Sequence, residues 1–157
     1  MLTRFDALGA ALTAKLDVDD AVIDGEVIAA DETGRPQFYD LLRGTRAPAH
    51  VAFDILWLNG SDLRSLPLHE RRRALQGIVP KGSVISEALS VEGRGRELFD
   101  LMCANDLEGV VAKRLVDPYD TRVKWHKIKN RDYTQKEGRS ELLNRPHHSP
   151  SMRRRLR

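Results

Sequence analysis

The apolar run VAFDILWL, residues 51–58, constrains this chain most. It has the length of a strand, falls far short of the ~20 apolar residues that a bilayer crossing needs, and stops at Asn59-Gly60, a strong hairpin-turn pair. A second strand reads from AVIDGEVIAA, 21–30, which is rich in β-branched residues and runs into the turn signal DETG. Further strands are expected at SVISEAL (83–89), GVVAKRL (109–115) and KWHKIK (124–129). Helices are expected between them. Phe5, Leu8, Leu12 and Leu16 recur at helical spacing over 4–16, and QFYDLLR, 37–43, is closed by Gly44. After Pro67 a helix carries Arg71, Arg72 and Arg73, which are expected to face mostly water. In a last helix over 94–104, Leu98, Leu101 and Met102 share a face and Cys103 packs. Strands and helices mix without regular alternation, so the expected class is α+β, with antiparallel sheets and flanking helices.

The 157 residues suit one domain, and the single cysteine permits no internal disulfide. Charge is distributed unevenly. Residues 1–121 hold 14 Lys or Arg against 20 acids, whereas residues 122–157 hold 12 against 3. The carboxyl end is therefore a cationic arm that attracts phosphate backbones or acidic surfaces, or serves as a solubilising tail. The start, MLTRFDALGAALTAKLD, carries acids too early for a secretory signal, so a cytoplasmic location is expected, with no membrane partner. Beyond Asn130 the Pro, His, Ser and Arg content reads as a loosely ordered tail. The domain division expected is 1–131 and a basic tail, 132–157.

Several segments place chemistry-bearing groups together. In the first strand Asp24, Glu26 and Ile28 project one way, and Ile23, Val27 and Ala29 the other. Two acids side by side need solvent, a cation or a partner, and an exposed sheet face would satisfy them equally. At 124–129 Trp125, Lys127 and Lys129 share a face; two ammonium groups about 7 Å apart suit a polyphosphate or simply protect an edge strand. Glu108 enters a strand just before Gly109, a residue that lets a ligand or backbone come close. Phe53 is either a core aromatic or a platform for a base. Two other features carry little: GRGRE, 93–97, lacks the third glycine of a dinucleotide loop and reads as a helix start, and His147-His148 has no cysteine or acidic companions.

In order, DGEVI (24–28), VAFDILWLNG (51–60), EGVVAKR (108–114) and WHKIKN (125–130) resemble the later nucleotidyltransferase motifs of ATP-dependent DNA ligases. That superfamily also contains messenger-RNA capping enzymes and RNA ligases. YTQKEGRSELLNR resembles the end of the adenylation domain in short bacterial ligases. The resemblance implies an incomplete nucleotidyltransferase (ATP-grasp-like) fold, ATP and Mg²⁺ as cofactors, and nicked double-stranded DNA as partner. It also implies roles. Phe53 would stack on adenine, and Glu26 would approach the ribose or a metal ion. Glu108 would bind a divalent metal, Lys127 and Lys129 would hold the α-phosphate, and Arg122 would match an arginine just upstream of them. Phosphoryl transfer is mostly positioning and charge neutralisation, which suits these residue types.

One element of the family pattern is missing. The family's nucleophile is a lysine in Lys-x-Asp-Gly; here the only Asp-Gly is Asp24-Gly25, and Val22 stands two residues before it. Lys15-Leu16-Asp17 is followed by Val18 and lies only a few residues before DGEVI. The expectation is therefore a ligase adenylation domain that starts after its nucleophile and cannot self-adenylate. Also expected are no OB-fold domain after WHKIKN, exposed sheet edges and low solubility. The alternatives are a nucleotide- or nucleic-acid-binding remnant, perhaps complemented by a chain supplying the missing part, and an RNA ligase or capping-type enzyme. RRRLR, 153–157, touches nucleic acid or is a frayed terminus.

Overall fold

The computed structural model describes residues 5–136. The expected features at 137–157, including most of YTQKEGRSELLNR, His147-His148 and RRRLR, lie outside the described residues. Helix α1 spans Asp6–Lys15, strand β1 Ala21–Ala29, α2 Phe38–Arg43, β2 Pro48–Leu58 and β3 Ser61–Asp62. There follow α3 Leu68–Ile78, β4 Ile85–Glu87, α4 Gly95–Ala104, β5 Gly109–Ala112 and β6 His126–Lys129. The class is α+β, as the sequence predicts. The first sheet runs β1-β2-β3, all antiparallel, and β4 adds to β2 in parallel, the one departure from antiparallel pairing among the described strands. The second sheet is the antiparallel pair β5-β6.

Local sequence explains the joints. Asn59 (φ 46°) and Gly60 (φ 78°) occupy the left-handed region that a tight hairpin turn requires, and they connect β2 to β3. Between β1 and β2 the carboxylate of Asp31 accepts bonds from the amides of Thr33 and Arg35, closing the turn that DETG announces. The core is Ala52, Ile55, Leu75 and Ile85, covered by Leu12 and Leu16 of the α1 end and by Ala74 and Ile78 of α3.

Arg71 departs from its expected place in water. Spacing of 68, 71 and 75 puts it on the inner face of α3 with Leu68 and Leu75, and it is 1% exposed. Its Nε and Nη2 donate to Oδ1 and Oδ2 of Asp54, each at 2.8 Å, and Asp54 is fully buried in β2. The remaining Nη1 donates to the carbonyls of Leu66 and Asp117. A carboxylate inside a sheet demands such a fork, because an unpaired buried charge is far costlier than the pair. Arg72 is also drawn inward, to Glu87 of β4; only Arg73 of the three is exposed. Two smaller differences occur elsewhere. Leu101 is half exposed, and residues 131–136, expected to begin a loose tail, form a turn and a short 3₁₀ helix, with Tyr133 buried. Gln135 holds that segment in place: its Oε1 accepts from the Phe38 amide, and its Nε2 donates to the Pro36 carbonyl.

Arg71→Met should lower unfolding free energy by about 3–5 kcal/mol in urea titrations, and adding Asp54→Leu should recover much of the loss. His50 of β2 gives a pH test. Burial pushes its imidazole below the ordinary value of 6.5, partly opposed by Asp24. The folded state then binds that proton more weakly than the unfolded state does, so its contribution is present above the ordinary value and is lost as pH falls through the lowered one. Between pH 7 and 5 the urea midpoint should fall further in the parent chain than in His50→Gln.

Candidate functional site

The hairpin β5-β6 presents one end of the site. Gly109 opens it with φ 138°, and a Cβ there would stand 2.1 Å from the carbonyl oxygen of Ile128. Only glycine admits both that backbone conformation and that approach. The ladder pairs Gly109 with Lys129 and Val111 with Lys127, so both lysines rise on one face of the hairpin and are exposed. Glu108 stands at its mouth, with its Oε1 3.9 Å from Nζ of Lys129. Asn130, nearly buried, donates its amide to the carbonyl of Glu108 at 2.8 Å and its Nδ2 to that of Leu107 at 3.1 Å, fixing where the glutamate starts.

Glu26 reaches the same place from β1. Glu26 and Glu108 both line a cavity of about 210 Å³ whose other walls include Phe38, Met102, Gly109 and Tyr133. Two carboxylates at one cavity, beside cationic side chains, form a donor set that suits Mg²⁺, which takes one or two protein carboxylates and keeps waters or phosphate oxygens. Among the described residues no cluster of three or more His, Cys, Asp or Glu could enclose a metal. A dedicated all-protein cage is therefore not built from them.

Phe53 lies outside that cavity and is half-buried. Register along β1-β2 jumps from Asp24↔Asp54 to Gly25↔Ala52, leaving Phe53 as an extra residue, a β-bulge of the kind that re-aims a side chain. Gly25 accommodates the tight crossing: a Cβ there would meet the Val51 carbonyl oxygen at 2.5 Å and the His50 ring at 2.4 Å. Over Phe53 sits Lys113, its Nζ 4.6 Å from the ring centroid and 3.7 Å from that of Trp125. Burial pushes this amine below the ordinary lysine value, against the pull of Asp54 and Asp24. Trp125 meets Tyr119 edge-on at 5.6 Å, and the Tyr119 hydroxyl donates to Oδ2 of Asp24 at 2.9 Å. Burial raises the Tyr119 pKa, and the bond to Asp24 adds to that. Asp24 is therefore engaged within the protein, while Glu26 is exposed to the cavity.

Thus the fold brings Glu26 and Glu108 to one cavity with Lys129 3.9 Å from Glu108, while Lys127 shares the hairpin face of Lys129 and Phe53 lies outside the cavity, against Lys113. Arg122 is not gathered. Its side chain is 88% exposed, and its Nε and Nη2 donate to the neighbouring Asp120 at 2.8 and 2.9 Å. The short stretch from Tyr119 to Trp125 turns on that pair. Sequence reasoning counted Lys113 among the lysines matched to the family motifs without saying what it contacts; strand alternation from Gly109 puts it on the Lys127 face.

The family model described as the ATP-dependent DNA ligase domain matches residues 2–129. The chain belongs to that family. It is 31% identical over 130 residues to the SPbeta prophage-derived DNA ligase-like protein LigB of Bacillus subtilis, covering 76% of this chain and 48% of the relative. It is 37% identical over 112 residues to the multifunctional non-homologous end joining protein LigD of Mycolicibacterium smegmatis, covering 69% and 14%. Among solved structures, a mycobacterial DNA ligase D complexed with ATP and MES aligns with TM-score 0.64 and 26% identity over 81% of this chain and 42% of that one. The chain spans about half or less of these relatives' lengths. The ligase-type nucleotidyltransferase fold expected from the four motifs is the one these neighbours share.

Within this ligase domain Gly109→Ala tests the hairpin mouth. It should cost about 1–3 kcal/mol in urea unfolding, because the backbone of Ile128 cannot yield as a flexible side chain would.

Proposed function

We propose that this chain forms the nucleotide-holding part of an ATP-dependent DNA ligase and that it works on nicked double-stranded DNA. The observation that carries the reading is the convergence of Glu26 from β1 and Glu108 from the β5 mouth on one cavity, with Lys129 of β6 3.9 Å from Glu108. In this reading Phe53 stacks on adenine and Glu26 meets the ribose or a metal ion. Glu108 holds Mg²⁺, and Lys127 and Lys129 neutralise the α-phosphate. When bound, Mg²⁺ supplies charge neutralisation at the phosphate oxygens. The residues themselves orient the nucleotide and offset its charge in a partly enclosed site. Arg122 joins them only if its pair with Asp120 opens.

The chain contains no Lys-x-Asp-Gly, so in this reading it binds nucleotide without becoming adenylated. A separate segment supplying that lysine would complete the reaction. Support comes from β1, which has β2 on one side and no strand on the other among the described residues, and whose Val22 is 52% exposed. Such an edge accepts an added strand.

Incubation with [α-³²P]ATP and Mg²⁺ should leave no covalent label on the chain, while equilibrium dialysis should detect ATP binding. Phe53→Ala should weaken that binding by roughly 5–150-fold, the range expected for losing one stacked base. A labelled lysine would overturn the non-adenylating reading, and undiminished binding by Phe53→Ala would overturn the adenine platform. Nick sealing on mixing with a ligase segment that carries Lys-x-Asp-Gly would separate a complementing chain from a binding remnant.

A further inference from the structure

Among the described residues the two sheets share no ladder, so side-chain contacts, not backbone pairing, set their spacing there. Phe53 belongs to β2 of the first sheet; Trp125 immediately precedes β6 of the second. Among the described residues Lys113, which follows β5, is set against both rings, its Nζ 4.6 Å from one centroid and 3.7 Å from the other. That amine is buried and has no hydrogen-bond partner among the described residues. A desolvated ammonium without hydrogen bonds persists only where other charges or ring faces compensate it. Here compensation comes from the two ring faces and from the carboxylates of Asp24 and Asp54, against the guanidinium groups of Arg71 and Arg72. Cation–π attraction of this kind strengthens when water is excluded.

We propose that Lys113 is a positioning residue whose ammonium, clasped between Phe53 and Trp125, fixes the spacing between the ring of the first sheet and the lysine face of the β5-β6 hairpin. Arginine retains the cation and its preference for ring faces; methionine retains an unbranched apolar stem without the charge. The two variants therefore separate charge from bulk.

Hydrogen exchange on the full chain without nucleotide tests this directly. Lys113→Met should speed exchange of the amides of Val110–Ala112 and His126–Lys129 by about tenfold and leave those of Ile23 and Ile55 unchanged, while Lys113→Arg should keep the parent pattern. Unchanged hairpin exchange in Lys113→Met overturns the proposal. So does acceleration that is uniform over both sheets, or equal acceleration in Lys113→Arg.

A second measurement rests on the adenine reading of Phe53. In Lys113→Met the affinity for adenosine should hold, while that for AMP falls by about tenfold toward it, because base and phosphate subsites lose their fixed separation. Equal loss for both ligands overturns the positioning role. Failure of the parent chain to bind either ligand would sink the adenine reading, and the exchange result would still decide the role of Lys113.

Discussion

The buried pair of Asp54 and Arg71 is the interaction on which the rest of the molecule leans. Asp54 interrupts an otherwise apolar strand, and its charge is tolerable only because a bidentate guanidinium meets it there. The same guanidinium also donates to the carbonyls of Leu66 and Asp117. It therefore pins α3 to β2 and anchors the segment that goes on to Tyr119 and Trp125. Tyr119 in turn bonds Asp24, the residue opposite Asp54 in the ladder. A single ion pair thus communicates with both acids of the β1-β2 crossing and with the strand that carries the lysines.

The irregularities of β2 fall beside the residues of the candidate site. Phe53 is the added residue of a bulge next to Asp54, and consecutive burial of Asp54 and Ile55 marks the break in alternation. Gly25 lies across from Ala52, where no side chain would fit. The segment DGE is therefore not only a source of carboxylates: its aspartate is held by tyrosine, its glycine lets two strands cross closely, and its glutamate is left to the cavity. Gly109 repeats the logic at the hairpin mouth, where the approaching group is the backbone of Ile128. Both glycines serve geometry that places an adjacent acid.

Much of this was legible in the residues. The long strands, the Asn59-Gly60 turn and the helix after Pro67 announce themselves by local composition, and β2 merely begins earlier than its apolar run. That Glu26 and Glu108 would face one cavity was legible only through motif order, which compresses long-range information that no single segment contains. Arg71 was misread because a run of three arginines looks solvated unless the stripe formed by Leu68, Arg71 and Leu75 is set against the acid in β2. The parallel addition of β4 and the docking of Tyr133 and Gln135 depend on tertiary partners, to which local pattern is blind. Arg122 stands apart for a nearer reason: Asp120, two residues away, accepts from its Nε and Nη2 and holds the side chain out in solvent.

The walls of the small cavity come from stretches near residues 26, 38, 102, 108 and 133. Enclosing it means closing loops of very different lengths, among them the span between Phe38 and Gln135. Such non-local closures come late and slowly as a chain collapses, after nearby contacts have formed. Any ligand that settles among those walls would thereby grip nearly the whole polypeptide at once, and occupancy would tie local opening of the pocket to cooperative loss of the native state.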